Sequence, residues 1–90
     1  MTGPLFSAFC RNSDLPAGPA VGFTVPRALG GAVIRNRIKR RMRESVRLRL
    51  ALLPRGWQVV FNPRRSVLAC GFEELGREVE RVFERCAGRS

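Results

Sequence analysis

Apolar residues recur along this chain with two different spacings, and each spacing predicts a different kind of element. Alternation of apolar residues with other residues predicts three strands, at residues 5–11, 20–25 and 57–61. Apolar residues three or four positions apart predict two helices, at about residues 32–53 and 72–86. Each strand and each helix therefore has one side that is suited to a core.

The order of these elements predicts an α+β fold. Residues 12–19 combine Asn, Asp, Pro and Gly, which predicts a turn, and we expect the turn to join the first two strands in an antiparallel hairpin. Strand, strand, helix, strand, helix is an order that suits a small three-stranded sheet packed with two helices as a sandwich. Ninety residues with a hydrophobic fraction of 44% allow a modest core, so we treat residues 1–90 as a single domain.

The first predicted helix has an apolar stripe and a cationic face on opposite sides. The apolar stripe comprises Ile34, Ile38, Met42, Val46 and Leu50. The opposite side comprises Asn36, Arg40, Arg43 and Arg47. Of the twenty-three residues from 27 to 49, nine are basic and only Glu44 is acidic, which leaves +8 of the net charge of +10 in this segment. Because like charges at this density repel one another, the segment favours a polyanionic partner, and a nucleic acid is the first candidate.

Residue types that are missing or badly spaced exclude several functions. There is no histidine or tyrosine, and Cys10, Cys70 and Cys86 lie far apart, so neither a zinc site nor a nucleophile with its base is indicated. Glu73 and Glu74 are adjacent on a predicted helix and diverge by about 100°, so they cannot face each other as a catalytic pair. We see no signal peptide and no apolar run approaching the ~20 residues of a membrane span, and expect a cytoplasmic protein with buried, reduced cysteines.

One motif is more specific than the charge. Residues 30–40 read GGAVIRNRIKR. This run resembles the signature of the bacterial ribonuclease P protein subunit, in which a glycine and a small residue precede Ala-Val, one further residue, Arg-Asn-Arg and a Lys-Arg pair. The resemblance continues in VGFTV at 21–25, in WQVVF at 57–61 and in the helix at 72–83. It therefore covers nearly the whole chain from about residue 5 to residue 83.

The resemblance implies a function and a set of functional residues. Proteins of this family bind a large catalytic RNA, and the resulting ribonucleoprotein endoribonuclease removes the 5′ leader from precursor tRNA. The Mg²⁺-dependent chemistry belongs to the RNA, so the resemblance implies no catalytic residue and no metal ligand in this chain. The implied RNA-binding residues are Arg27, Arg35, Asn36, Arg37, Lys39, Arg40 and Arg43. Phe9 lies where family members carry an aromatic residue that contacts the single-stranded leader, and such a ring can stack on an unpaired base.

The chain departs from the family pattern in three places. Family members have an N-terminal helix that supplies part of the leader cleft, whereas here only four residues precede the first strand, and we expect the helix to be absent. Where the family has a basic pair before the glycine, this chain has Arg27-Ala28. Where the family has a basic or polar residue after the glycine, this chain has Gly31. The family's arginine at the end of the third strand is replaced here by Asn62, although Arg64 and Arg65 lie close by in the sequence.

Several alternatives remain. The chain could be a non-catalytic RNA-binding protein of another ribonucleoprotein, with a ribosomal or RNA-folding role. Binding to DNA fits less well, because a lone basic helix between two strands lacks the second helix or dimer that major-groove readers use. Binding to a membrane fits poorly because the sheet needs the apolar face of the helix to form a core.

Phe9 also has an alternative role in the core. Phe6 and Phe9 lie on opposite faces of the first strand, and one of them must fill the core.

Overall fold

The computed structural model describes residues 2–12 and 18–88, and the predicted α+β architecture is confirmed in them. The strands are β1 (Phe6–Asn12), β2 (Ala20–Phe23) and β3 (Trp57–Pro63), and the helices are α1 (Ala32–Arg47) and α2 (Phe72–Cys86). Short 3₁₀ helices occupy Arg27–Leu29, Leu50–Leu52 and Arg65–Leu68. The bounds of α2 are those predicted from its apolar spacing.

The sheet is mixed, and the predicted hairpin between the first two strands is wrong. The strand order is β1-β3-β2, with β1 antiparallel and β2 parallel to β3. The strand β3 lies at the centre, and its alternate residues Val59 and Phe61 are fully buried in the core. The connection through α1 is long enough for the crossover that a parallel pair requires. Of the predicted turn, residues 13–17 lie outside the described part of the chain.

Both helices cover the same face of the sheet. Phe61 is the centre of the core: its ring lies 4.9 Å from that of Phe6, edge to face, and 6.2 Å from that of Phe83 on α2. The buried residues of α1 pack into the same cluster, among them Ile38 and Met42 at the middle of the predicted stripe. The opposite face of the sheet carries no helix among the described residues.

The helix α1 is shorter than predicted. It ends at Arg47, and a 3₁₀ turn replaces the last six residues of the predicted helix, with hydrogen bonds from Arg49 N to Val46 O and from Leu52 N to Arg49 O, both 2.9 Å. The apolar stripe drifts around a 3.6-residue helix, so that Leu50 is already exposed. The tighter turn returns the chain to the core at Leu53, which is buried just before Pro54.

Candidate nucleic-acid interface

The helix α1 begins abruptly after two glycines. Gly30 has φ +142°, a conformation that side-chain-bearing residues rarely adopt, and a Cβ atom there would lie 3.0 Å from the Ile34 side chain. Arg35 N donates to Gly31 O at 3.0 Å, which starts the helical ladder. The first turn of α1 holds no acidic residue, whereas that of α2 holds Glu73 and Glu74. The positive end of the α1 dipole is therefore left uncompensated beside the basic residues.

The outer face of α1 brings most of the predicted RNA-binding residues together. Asn36, Lys39, Arg40 and Arg43 line one shallow depression with Glu44. Arg37, Arg40 and Arg43 are exposed. Within the described residues no ion pair engages these three arginines, although Glu44 does bind Arg47 at 2.8 Å. In the described structure these three arginines are therefore free to meet an external anion.

Two predicted residues differ from the rest in position. Arg35 is only partly exposed, and its Nε atom is buried with no hydrogen-bond partner in the described structure. Arg27 lies in the 3₁₀ helix that precedes α1 and is exposed, but it does not line the depression. We therefore leave Arg27 and Arg35 out of the surface that we call the α1 basic face. This surface comprises the predicted residues that line the depression and the exposed arginine next to them: Asn36, Arg37, Lys39, Arg40 and Arg43.

Arg41, which the predicted set leaves out, has a structural role inside the same basic run. Its Nε donates to Val67 O at 2.8 Å and its Nη2 to Cys70 O at 2.7 Å. Its guanidinium also lies 5.9 Å from the centre of the Phe72 ring. This cation ties α1 to the 3₁₀ helix Arg65–Leu68 and to the start of α2, and it is not available to an external partner.

Arg49 is a second internal arginine. Its Nε lies 2.9 Å from Glu80 Oε1, and its Nη1 donates to Ser45 O at 3.2 Å. The guanidinium lies against Gly76 of α2, where any Cβ atom would collide with it. The absence of a side chain at Gly76 thus lets Arg49 join the end of α1 to the middle of α2. Together with Arg41, it makes the free charge of the basic segment 27–49 smaller than the residue count suggests.

The open face of the sheet carries an exposed aromatic residue. Phe9 is 64% exposed, whereas Phe6 is 6% exposed and fills the core, which decides between the two alternatives. Phe9 pairs with Val60 of β3, itself 40% exposed, and Val60 pairs with Gly22 of β2. Because glycine has no side chain, this row of the sheet is an open apolar surface. It faces away from the helices, so Phe9 is separate from the α1 basic face.

Two neighbours of Phe9 were not predicted as site residues. Arg11 is exposed two positions further along β1, on the same face by strand alternation, and pairs with Gln58. Alternation in the sequence places Val60 on the opposite side of the strand from the buried Val59 and Phe61. Only the structure shows that no helix covers this side among the described residues, so that Val60 belongs to an exposed surface.

The cysteines are only partly as expected. Cys86 is buried and Cys70 is half-buried, but Cys10 is exposed, so the prediction of buried thiols is wrong for this residue. The reason is that Cys10 lies beside a cavity at the end of the sheet, lined also by Ala8, Trp57, Arg85 and Cys86.

In the described residues no group of three or more His, Cys, Asp or Glu side chains could hold a metal ion. None of the helices described is long and apolar enough to cross a membrane.

Comparison with known proteins gives relatives and structural neighbours. The family profile described as Ribonuclease P matches residues 2–87. The chain is 43% identical over 74 residues to a ribonuclease P protein component of Acidothermus cellulolyticus, which covers 82% of this chain and 61% of the relative. It is 48% identical over 65 residues to that of Symbiobacterium thermophilum, which covers 72% of this chain and 56% of the relative. The chain thus spans about three-fifths of the length of these curated relatives.

The fold has a solved counterpart. It is similar to the RNase P protein from Thermotoga maritima in complex with 1-(4-fluorophenyl)-2-thiourea, with a TM-score of 0.79 and 25% sequence identity. The match covers 94% of this chain and 82% of that chain. An RNase P protein of Staphylococcus aureus has the same fold, with a TM-score of 0.75.

Proposed function

Since the chain belongs to the ribonuclease P protein family, we propose that it is the protein subunit of a cytoplasmic bacterial ribonuclease P. In this role it binds the catalytic RNA and assists removal of the 5′ leader from precursor tRNA. The observation that carries the proposal is the family match from residue 2 to residue 87, together with an α1 basic face that has no internal ion-pair partner for its exposed arginines in the described structure. The catalytic RNA supplies the Mg²⁺-dependent chemistry, and this chain supplies binding and positioning.

The α1 basic face is the surface that we assign to the catalytic RNA. Exposed arginines on one rigid helix form an array in which each guanidinium can bind a phosphate through two hydrogen bonds. The Asn36 amide can both donate and accept, which suits a ribose 2′-hydroxyl. Because α1 is anchored to the core by its buried stripe, the array is held in place before the RNA arrives.

The test of the function is cleavage of precursor tRNA by the catalytic RNA at low Mg²⁺, with and without this protein. We expect the protein to restore cleavage, because cationic side chains near the RNA–substrate contact replace part of the screening that Mg²⁺ provides. A folded protein that binds structured RNAs tightly but leaves cleavage unchanged would contradict the proposal and favour a role in another ribonucleoprotein.

The open face of the sheet is the surface that we assign to the leader. We expect Phe9→Ala to weaken binding of precursor tRNA by roughly 1–3 kcal/mol, because a base stacked on the ring would lose its platform. Binding of mature tRNA, which has no leader, should not change. The measurement is the dissociation constant of each tRNA for the reconstituted particle.

A matched control separates stacking from general loss of apolar surface. Leu48 is 64% exposed, like Phe9, but lies at the end of α1. Leu48→Ala should leave both dissociation constants unchanged. Equal losses for precursor and mature tRNA with Phe9→Ala, or a lower melting temperature of that variant, would return Phe9 to a structural role.

A further inference from the structure

Two cysteines from opposite ends of the chain meet at one end of the sheet. Cys10 lies on β1, where it pairs with Val59, and Cys86 is the last residue of α2. Both line the cavity that Ala8, Trp57 and Arg85 complete. Cys10 also contributes, after burial, to the raised pKa of Cys86. Two cysteines that line one cavity from adjoining elements are placed to approach each other, as a disulfide requires.

The two thiols differ in access. Cys10 is exposed, whereas Cys86 is 7% exposed. Burial, and secondly the proximity of Cys10, raises the pKa of Cys86 to about 12. Cys86 is therefore protonated at neutral pH and out of reach, so that an oxidant reaches Cys10 first. The third thiol, Cys70, is bonded elsewhere, since its Sγ donates to Val67 O at 3.4 Å.

We propose that Cys10 and Cys86 form a reversible intramolecular disulfide when a peroxide oxidises the exposed thiol. The Cys10 thiolate attacks one oxygen of hydrogen peroxide, so that an S–O bond forms, the O–O bond breaks, and the departing hydroxide takes up a proton to become water. The Cys86 sulfur then attacks the Cys10 sulfur and loses its proton, and the sulfenic oxygen leaves as a second water. Two thiols are oxidised by two electrons and one peroxide is reduced to two waters. A dithiol reductant reverses the reaction.

The disulfide would join β1 to the far end of α2 and enclose nearly the whole described chain. Cross-links that close long loops restrict the unfolded state most, so we expect the oxidised protein to melt roughly 10 °C or more above the reduced protein. A disulfide that requires a distorted fold would not have this effect. A melting temperature equal to or below that of the reduced protein would therefore overturn the proposal.

The formation of the bond is tested on the native, reduced full chain with hydrogen peroxide, followed by alkylation of the remaining thiols and mass spectrometry. Before alkylation we expect the intact protein to be about 2 Da lighter, because disulfide formation removes two hydrogens. After alkylation only Cys70 should carry the label, and digestion should give a peptide pair that joins Cys10 to Cys86. Cys70→Ser should oxidise in the same way as the wild type, because Cys70 takes no part. This result does not depend on the RNA-binding role.

Two single variants identify the order of events. In Cys86→Ser the sulfenic acid at Cys10 has no partner and should be trapped by dimedone, whereas the wild type should give little dimedone adduct. In Cys10→Ser, an exposed change, Cys86 should stay reduced under the same treatment. Oxidation of the wild type that stops at a dimedone-reactive Cys10, with Cys86 still a thiol, would overturn the proposal. So would a disulfide found only between two chains.

Discussion

Replacement of Arg37, Arg40 and Arg43 by alanine is expected to reduce strongly the affinity for the catalytic RNA and its dependence on salt. Removal of one phosphate-binding side chain should lower the slope of log affinity against log salt by roughly 0.7–0.9, so the triple variant should lower it by roughly 2–3. The three side chains are exposed and none has an internal ion-pair partner in the described structure, so their removal leaves the core intact. The measurement is a titration of labelled RNA at several salt concentrations.

A second triple variant controls for net charge. Arg77, Arg81 and Arg85 are exposed and spaced four apart on α2, so their replacement by alanine removes the same charge from another helix. We expect this variant to change the slope little, because the acidic residues of α2 already offset its charge. Equal decreases in the two variants would mean that the RNA responds to total charge, and the α1 basic face would not be the docking surface.

The local structure of this chain is predictable because it depends on neighbours in the sequence. The apolar spacing of α2 gives its bounds, and the alternation in β3 gives the buried residues Val59 and Phe61. The strand order is not predictable in this way, since a turn composition shows that the chain changes direction and not which strand lies beside which. The assumption that consecutive strands pair led to the wrong hairpin.

The same limit applies to the candidate site. The sequence identifies α1 as a cationic helix and the motif points to RNA, but neither separates an arginine that faces solvent from one that faces the protein. Arg40 and Arg41 are adjacent, yet only Arg41 finds acceptors, at Val67 and Cys70, 26 and 29 residues further along the chain. Likewise, Phe9 could be assigned to the open face only after the structure had placed Phe6 in the core. Such distinctions depend on tertiary contacts.

The contrast between Arg40 and Arg41 leads to a second prediction, a large loss of thermal stability when Arg41 is replaced. We expect Arg41→Ala to lower the melting temperature by about 10–20 °C, as it removes two hydrogen bonds from a charged donor and costs about 2–3 kcal/mol. The two carbonyl groups that it serves belong to the segment between β3 and α2, so this segment should loosen first. Thermal unfolding followed by circular dichroism measures the stability. The salt dependence of RNA binding, measured below the melting temperature, should keep the wild-type slope.

Arg40→Ala is the matched control, because it removes the same group one position earlier from an exposed site. Its melting temperature should stay close to that of the wild type, while the salt slope falls by roughly 0.7–0.9 for one phosphate contact. Arg41→Lys distinguishes charge from geometry: a lysine keeps the charge but lacks the planar fork that donates to two carbonyls at once, so it should recover only part of the stability that alanine removes. If Arg41→Ala lowered the slope and left the melting temperature unchanged, Arg41 would belong to the RNA-binding surface, and the division of the basic helix into an outer and an inner set would be wrong.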